Sequence, residues 1–191
     1  PGQQLLTWLP SWSAAHDEGL RVWDMATMRC LARLHPGEDV STVTALPDQI
    51  LVGFDNGAVW RWQLPLSLSA LQPNSGAAPS KLKGQLFKKL ESDDNCDRIV
   101  KLLSGELLAV CGPMQMQRWD AASGDTKAKV TAHYGAIHGV LRLASGQILS
   151  WSDEHTLKLW DAALERCLLT LRGHSAKVLG ALELSDGRLV S

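Results

Sequence analysis

A histidine, a serine and a carboxylate that lie close together in the sequence could in principle form a hydrolytic site. They are His133, Ser150 and Glu154, and such residues perform acyl transfer when the histidine takes the proton of the serine hydroxyl. However, Ser150 lacks the G-x-S-x-G turn that exposes a nucleophilic serine in many hydrolases. The histidine and the serine also recur 41 positions later, as His174 and Ser191. We therefore interpret the set as a structural network of buried polar groups that satisfy one another.

Two further patterns resemble metal or catalytic sites, but neither has the required ligands. Asp93, Asn95 and Asp97 match the start of a calcium loop, yet Arg98 follows where that loop requires glycine. We interpret this segment as an exposed acidic turn. His138 lies in a predicted innermost strand, and among the predicted innermost strands only Glu183 is a further potential metal ligand, which is too few to bind a metal. We predict that His138 is a lone core or channel residue, and that the chain has no catalytic residue, metal or cofactor.

The predicted strands and turns that contain these residues belong to a repeat in the amino-acid sequence. Trp-Asp or its remnant begins at Trp23, Trp62, Trp119 and Trp160, with spacings of 39, 57 and 41 residues. A period of about 40 residues that contains Gly-His and Trp-Asp is typical of a four-stranded propeller blade. Short runs rich in Leu, Val and Ile between turn residues predict strands, and no window has a sustained helical period. We therefore predict an all-β fold, a propeller of four-stranded antiparallel blades. Its predicted innermost strands are residues 40–46, 98–103, 137–143 and 178–184.

The repeat divides the chain into about four and a half units. The predicted units are residues 1–34, 35–70, 92–130 and 131–171, with a half-unit at 172–191. Residues 71–91 are predicted to be an inserted flexible loop, because they include a stretch rich in Pro, Gly and Ser followed by solvated lysines. Propellers close with roughly 4 to 8 blades, so either the chain is part of a larger ring or its C-terminal strands complete the first blade. We favour the larger ring, because residues 187–191 and 2–7 have the pattern of the same strand.

The net charge, the apolar runs and the cysteines of the sequence indicate which classes of partner and which cellular compartment to expect. The net charge is −1, which gives no positive field for nucleic acid, and no apolar run is long enough to span a membrane. The four cysteines have no metal-ligand spacing and no disulfide framework, so we predict reduced, partly buried thiols in a cytoplasmic protein. Cys30 and Cys167 each follow a repeat tryptophan by seven residues and are predicted to be core residues of an outer strand.

Three short segments of the fourth unit and its C-terminal boundary carry a family resemblance. Ser150-Trp151-Ser152, Trp160-Asp161 and Gly173-His174 resemble the WD-repeat (WD40) β-propeller family, and the match covers nearly all of the chain outside residues 65–90. The resemblance implies a hydrogen-bonded network of histidine, hydroxyl, acid and tryptophan that links neighbouring strands. Carried over to this chain, the network comprises His133, Ser150, Glu154 and Trp160 in the fourth unit, Ser13, Asp17 and Trp23 in the first, and His174 and Ser191 in the half-unit.

The chain departs from this family pattern at several positions. Glu154 is one methylene longer than the usual aspartate, so we expect a looser network in the fourth unit. Val52 and Ala109 replace the hydroxyl in the second and third units, and Asn56 and Pro113 replace the acid. Those two units are expected to depend more on apolar packing.

The resemblance implies a non-enzymatic scaffold that binds a protein or peptide, within a larger complex or a multidomain regulatory protein. Binding residues concentrate on loops that a rigid scaffold holds in place, so we expect contacts from turns on one propeller face. The candidate contact residues are His16, Asp17, Asp55, Asn56, Met114, Gln115, Tyr134, Asp153 and His155. Two alternatives stay open at this point: a propeller enzyme with a hydrolase-type site in the central channel, and a self-assembling module whose open blade edges pair between chains.

Overall fold

A computed structural model describes residues 4–7, 20–24, 28–34, 40–46, 49–54, 56–63, 80–81, 85–89 and 95–191. These residues form eighteen β-strands and no helix. The strands are β1 (Gln4–Thr7), β2 (Leu20–Asp24), β3 (Arg29–Leu34), β4 (Val40–Ala45), β5 (Gln49–Phe54), β6 (Ala58–Gln63), β7 (Ser80–Lys81), β8 (Gln85–Lys89), β9 (Cys96–Lys101), β10 (Leu107–Cys111), β11 (Gln115–Trp119), β12 (Thr126–Thr131), β13 (Ile137–Arg142), β14 (Ile148–Ser152), β15 (Leu157–Trp160), β16 (Cys167–Leu171), β17 (Leu182–Glu183) and β18 (Leu189–Val190). Nothing in the described residues forms a helix that is long and apolar enough to cross a membrane.

The strands form four sheets of four strands and one hairpin. In spatial order, sheet 1 is β1-β2-β3-β7, sheet 2 is β4-β5-β6-β8, sheet 3 is β9-β10-β11-β12, sheet 4 is β13-β14-β15-β16, and the terminal hairpin is β17-β18. All neighbours are antiparallel except β3 and β7, which are parallel. Four successive four-stranded sheets, three of them antiparallel throughout, confirm the all-β fold class, and the parallel β3–β7 pair is a departure from the predicted antiparallel blades.

A glycine turn recurs between the first two strands of sheet 3, sheet 4 and the terminal hairpin. Gly105, Gly146 and Gly187 have φ angles of +89°, +88° and +83°, which glycine adopts without steric cost. In each turn the glycine amide donates to the carbonyl of the leucine three residues earlier, at 2.9–3.1 Å. The 41-residue period of the sequence is therefore also a period of backbone conformation.

The hydrophobic core lies in layers between successive sheets. One layer joins sheets 1 and 2, a second joins sheets 2 and 3, and a third joins sheets 3 and 4. A fourth layer joins sheet 4 to the terminal hairpin. The second strands β10 and β14 are buried along their whole length, as expected for strands that are covered on both faces. Because each fully buried aliphatic side chain contributes roughly 2 kcal/mol, these layers hold neighbouring sheets together.

The predicted flexible loop of residues 71–91 needs correction, because it contains two strands. β8 is the outer strand of sheet 2, and β7 pairs with β3 of sheet 1. The inserted residues therefore precede β8, the strand that completes sheet 2. Because β8 contains lysines, its sequence does not show a clear apolar strand pattern. Lys88, predicted to be solvated, donates to the carbonyl of Gly124 at 2.8 Å and lies 5.3 Å above the ring of Trp119 in sheet 3. It connects sheets 2 and 3.

The terminal hairpin pairs only with itself among the described strands. β17 and β18 are hydrogen-bonded to each other, and β1 pairs with β2. The alternative in which the C-terminal strands complete the first unit therefore has no support in the strand pairing of the described residues.

The cysteines occupy two different environments. Cys30 and Cys167 lie opposite Trp23 and Trp160 in their sheets, so their positions are equivalent as the spacing indicated. The prediction that both are core residues is wrong for Cys167, which is exposed because most of the outer strand β16 faces solvent. Cys96 and Cys111, by contrast, are buried and lie opposite each other on β9 and β10.

Candidate functional site

Three segments around sheet 4 bring the predicted polar network together. Ser150 lies in the middle of β14, Trp160 ends β15, and Glu154 lies in the turn between these two strands. His133 lies in the loop that enters β13 from sheet 3. The register of β14 and β15 places Ser150 near Trp160, because Ile148 pairs directly with Trp160 and residues two apart share a face.

The hydrogen bonds form a chain from the indole to the carboxylate. Trp160 Nε1 donates to Ser150 Oγ at 2.9 Å, and Ser150 Oγ lies 2.7 Å from His133 Nε2. His133 Nδ1 lies 2.8 Å from Glu154 Oε1, and a carboxylate can only accept, so Nδ1 carries the proton. Nε2 of the neutral imidazole then accepts the serine proton. These distances show no loosening from the longer Glu154 side chain, contrary to our expectation.

Burial decides between a catalytic and a structural role for this network. Ser150 has no exposed surface and His133 is 1 % exposed, so no substrate carbonyl can approach the hydroxyl. One lone pair of the serine oxygen is also occupied, because it accepts the indole N–H. A nucleophilic serine must be accessible to its substrate. The geometry is therefore that of a structural network which pins β14, β15 and the entering loop.

Glu154 is the charged end of the network. Its partial burial raises the pKa of its carboxyl, but hydrogen bonds from the Thr156 hydroxyl, the Tyr134 amide and His133 outweigh burial and lower that pKa to about 2. Burial lowers the pKa of His133, against the opposing effect of Glu154. At neutral pH the network thus contains a carboxylate and an uncharged imidazole.

The corresponding tryptophans of sheets 1 and 3 use other acceptors. In sheet 1, Trp23 Nε1 donates to Thr7 Oγ1 at 2.8 Å, so Thr7 takes the role that the sequence assigned to Ser13. Ser13 and Asp17 lie outside the described residues. In sheet 3, Trp119 Nε1 donates to Gln117 Oε1 at 2.9 Å, which replaces the hydroxyl missing at Ala109. The half-network of the terminal hairpin contains one bond, His174 Nε2 to Ser191 Oγ at 2.8 Å.

The network supports an exposed surface, here called the turn surface, which comprises Met114, Tyr134, Asp153 and His155. The loop before β13 is fixed to both flanking turns by backbone bonds. The Met114 carbonyl accepts from Ala132 at 2.9 Å, and the Asp153 amide donates to the Ala136 carbonyl at 2.9 Å. This fixed loop carries the Tyr134 side chain into solvent.

The side chains of the turn surface are exposed although their backbone is held firmly. Tyr134 is 89 % exposed, its amide donates to Glu154 Oε2 at 2.8 Å, and Lys158 Nζ lies 5.6 Å from its ring centroid. Met114 is 39 % exposed, and His155 is exposed with a φ of +63°. A non-glycine residue with positive φ stores some backbone strain, because its Cβ is crowded in this conformation.

The remaining candidate contact residues lie elsewhere. Gln115 is only half-exposed, and its Oε1 is buried without a hydrogen-bond partner, so its side chain turns inward. Asn56 is exposed in sheet 2, where its Oδ1 accepts from the Ala58 amide at 2.8 Å. His16, Asp17 and Asp55 lie outside the described residues.

His138 is not a lone residue, as the sequence had suggested. Its Nε2 lies 2.6 Å from Asp153 Oδ1, and this hydrogen bond lowers the pKa of the Asp153 carboxyl. The sequence missed the pair because its members lie on different elements, although β13 and β14 bring them to the same end of sheet 4. In the described part of the chain, no three His, Cys, Asp or Glu residues are grouped to hold a metal ion.

The opposed thiols of Cys96 and Cys111 are a second cluster of potentially reactive groups. A hydrogen bond with Cys111 and burial raise the pKa of the Cys96 thiol well above its ordinary value. Cys96 is therefore a protonated thiol at neutral pH, which is the form that is not nucleophilic.

Comparison with known proteins identifies the fold. No protein-family model and no curated protein matches the sequence. Among solved structures, the crystal structure of the WD40 β-propeller domain of Doa1 superposes with a TM-score of 0.68 and 14% sequence identity, over 90% of this chain and 53% of that one. The chain has a β-propeller fold. A computationally designed protein, Ika8, superposes with a TM-score of 0.65 and 16% identity, over 92% of this chain and 52% of that one.

The β-propeller fold explains the sheets as successive blades and the turn surface as one end of two neighbouring blades. The chain spans about half the length of both similar structures. Sequence identity this low supports a shared fold and no shared ligand, so the function must be argued from the site itself.

Proposed function

We propose that this chain is a non-enzymatic interaction module that binds a protein or peptide through the turn surface. One observation carries the proposal: Tyr134 is 89 % exposed on a loop that is fixed from both sides. An exposed aromatic on a preorganised backbone loses little conformational entropy on binding, and tyrosine is enriched among residues that dominate binding energy.

The neighbouring side chains support a mixed apolar and polar contact. Met114 offers a flexible thioether beside the same loop, and such side chains adapt to apolar partners. Asp153 and His138 offer a hydrogen-bonded polar pair that is partly exposed. This combination of an aromatic anchor with a polar rim is typical of protein interfaces. We also propose that the chain and its partner protein are both cytoplasmic.

The experiment compares two exposed apolar residues at opposite ends of neighbouring blades. Partners are captured from a lysate with the intact chain, identified, purified and titrated by calorimetry against Tyr134→Ala and Leu103→Ala. Leu103 is 65 % exposed and follows β9 at the glycine-turn end of sheet 3. We expect Tyr134→Ala to weaken binding at least tenfold, roughly 1.4 kcal/mol, and Leu103→Ala to leave it unchanged. Equal affinities for both variants would contradict the proposal.

The competing function is a hydrolase-type site in the channel near His138. It predicts turnover of ester or phosphoester substrates that is lost in His138→Ala. Under our proposal the purified chain has no such turnover, and His138→Ala changes only partner binding.

A further inference from the structure

The outer strands of the four sheets differ in how their free edges are protected. In sheet 1 the outer edge of β3 is covered by β7. β8 of sheet 2 and β12 of sheet 3 each contain two lysines, which hinder pairing with another strand. β16 of sheet 4 contains only cysteine, leucine and threonine, and among the described strands it pairs only with β15. Its edge is therefore neither covered nor charged.

This free edge is separate from the packed faces of sheet 4. Sheet 3 and the terminal hairpin pack on those two faces, through side chains such as Trp160 and Leu157. The edge consists instead of the backbone groups of β16 that point away from β15. An unpaired row of amide and carbonyl groups is a template for a further strand. Leu168 of the same strand is 47 % exposed, so an incoming strand would also meet apolar surface.

The β3–β7 pair shows that an outer edge in this molecule accepts a further strand. β7 pairs in parallel with the residues two and three positions after Cys30. Cys30 and Cys167 occupy equivalent positions, because each lies opposite a repeat tryptophan. The equivalent residues of β16 are therefore Leu169 and Thr170. Both pairs of residues follow a register shift in their strand, so each belongs to the regular part of its edge.

Two arginines flank the uncharged edge. Arg166 immediately precedes β16, Arg172 immediately follows it, and both are exposed. Among the described residues, neither guanidinium forms an ion pair with a carboxylate. Glu165 precedes Arg166, whereas Arg172 has no acidic residue within five positions along the chain. The edge therefore has an apolar centre and two positive ends, with the stronger positive charge at its C-terminal end.

We propose that this outer-edge surface, formed by β16 with Arg166 and Arg172, binds an extended segment of a partner protein that has an apolar centre and a carboxylate at each end. The segment pairs in parallel with β16, as β7 does with β3, and main-chain hydrogen bonds supply most of its affinity. Its carboxylates accept charge-assisted hydrogen bonds from the two guanidinium groups. Because the arginines are six positions apart, the segment has about seven residues and spans about 20 Å.

A second copy of the chain fits this edge less well than an acidic segment does. If β16 paired with itself in an antiparallel arrangement centred on Leu169, Arg166 of one chain would lie opposite Arg172 of the other. Like charges directly opposite each other in a sheet are destabilising. The flanking arginines therefore favour an acidic partner over self-association.

The test uses the intact chain and two synthetic peptides of matched length. Both peptides have the same centre of alternating valine and threonine, and they end in glutamate in one peptide and in lysine in the other. At saturation, we expect the glutamate peptide to slow amide hydrogen exchange of residues 168–171 by at least about tenfold. Mass spectrometry of the exchanged protein measures this protection, and calorimetry measures the affinity.

Charge reversal of the arginines tests the specificity of the site. We expect Arg172→Glu to weaken binding of the glutamate peptide by at least about tenfold, and Arg166→Glu to weaken it less. The variant with both changes should bind the lysine peptide more tightly than the native chain does. The matched control combines Lys127→Glu with Lys129→Glu on the outer strand β12, where both lysines are exposed, and it should leave binding of the glutamate peptide unchanged.

Three results would overturn the proposal. The first is unchanged exchange of residues 168–171 in the presence of the glutamate peptide. The second is equal weakening by the lysine control, because binding would then depend on overall charge. The third is concentration-dependent protection of β16 without peptide, measured together with a dimer mass, because a second copy would then be the occupant. Tyr134 takes no part in these measurements, so their failure leaves the proposed function of the turn surface untouched.

Discussion

At the scale of single residues, the hydrogen bond between histidine and serine occurs once in a buried environment and once in an exposed one. The effect of burial can therefore be compared for the same hydrogen bond. The bond between histidine and serine is 2.7 Å long at Ser150 and 2.8 Å at Ser191, yet Ser150 is completely buried and Ser191 is exposed. An unsatisfied buried donor costs far more than an exposed one, which water can satisfy. Ser150 is therefore the residue on which the network depends energetically.

Replacing Ser150 tests this dependence. Ser150→Ala leaves the Trp160 indole N–H without an acceptor and His133 Nε2 without a donor, so we expect a loss of about 1–3 kcal/mol in the free energy of unfolding. Urea denaturation monitored by circular dichroism measures the loss. Ser191→Ala is the matched control, and it should change stability by less than about 0.5 kcal/mol. Similar losses in both variants would contradict the role of burial.

The carboxylate of Glu154 makes stability depend on pH. Its pKa is about 2 in the folded chain and near 4.5 when unperturbed, so its contribution is complete above pH 4.5 and is lost as the pH falls towards 2. The lowered pKa of His133 acts in the same direction, because below its ordinary value of 6.5 the unfolded chain takes up the proton more readily. The pKa shifts of both groups therefore predict that the folded chain becomes less stable as the pH falls.

Urea midpoints measured at pH 7, 5 and 3 should fall steadily for the native chain. Glu154→Gln should start from a lower midpoint at pH 7 and should decline less between pH 5 and 3, because it has no carboxyl to protonate. A native chain whose midpoint is the same at pH 7 and 3 would contradict both assignments.

The backbone strain at His155 predicts a substitution that raises the free energy of unfolding, whereas the substitutions above lower it. Its φ of +63° matches the positive φ of +76° that Gly57 has in the corresponding turn of sheet 2. Glycine adopts this conformation without the cost that a Cβ imposes. We expect His155→Gly to raise the free energy of unfolding by up to about 1 kcal/mol and to weaken partner binding. Thermal unfolding and calorimetry test the two parts, and a destabilised variant would show that the imidazole has structural contacts.

At the scale of strands, Gly139 shows why the blades tolerate only certain residues on the innermost strand. It pairs with Trp151, and an added Cβ would collide with atoms of the Trp151 ring. The indole is buried in the core layer between sheet 4 and the terminal hairpin, and its packed neighbours restrict its movement. The glycine therefore fixes how closely β13 and β14 approach.

Substituting Gly139 by alanine tests this close approach. We expect Gly139→Ala to cost about 1–3 kcal/mol in the free energy of unfolding, with altered tryptophan fluorescence. Gly180→Ala is the matched control, because a Cβ there meets nothing within 4 Å. A loss confined to Gly180→Ala would contradict the packing described for Trp151.

The repeat also determines how much could be predicted from the sequence. The innermost strands predicted at residues 40–46, 98–103 and 137–143 correspond to β4, β9 and β13, because turn glycines and alternating apolar residues mark them. The fourth-unit network was predicted because the resemblance to the WD-repeat family implies it, and its residues match that family's pattern at the spacing of the repeat. Where that spacing changes, sequence reasoning failed.

Three features show the physical reasons for these failures. Thr7 was missed because it lies 16 positions before Trp23, instead of the ten that separate Ser150 from Trp160. The strand β8 was missed because an outer strand needs little apolar surface. Its lysines gave the segment the composition that is typical of a solvated loop. The pairs formed by His138 with Asp153, and by Cys96 with Cys111, depend on neighbouring strands and have no fixed spacing along the chain.

At the scale of the whole molecule, the layered core predicts unequal local stability. β10 and β14 are buried along their whole length between successive sheets, whereas no residue of β17 or β18 is buried. Local opening requires less free energy where fewer apolar contacts are broken. We expect amides of β10 and β14 to exchange at least about a hundredfold more slowly than those of β17 and β18 in hydrogen-exchange mass spectrometry. Uniform protection along the chain would contradict the layered description.

Tyr134 has a practical consequence for experiments, because it is the chain's one tyrosine. Its phenol is 89 % exposed, so nitration with tetranitromethane, after the exposed Cys167 thiol has been blocked, should introduce a nitro group at a single tyrosine in the middle of the turn surface. Nitrotyrosine absorbs where tryptophan emits, and the chain has eight tryptophans as donors. The labelled protein would report occupancy of that surface through its own fluorescence, without a fused tag or an introduced cysteine.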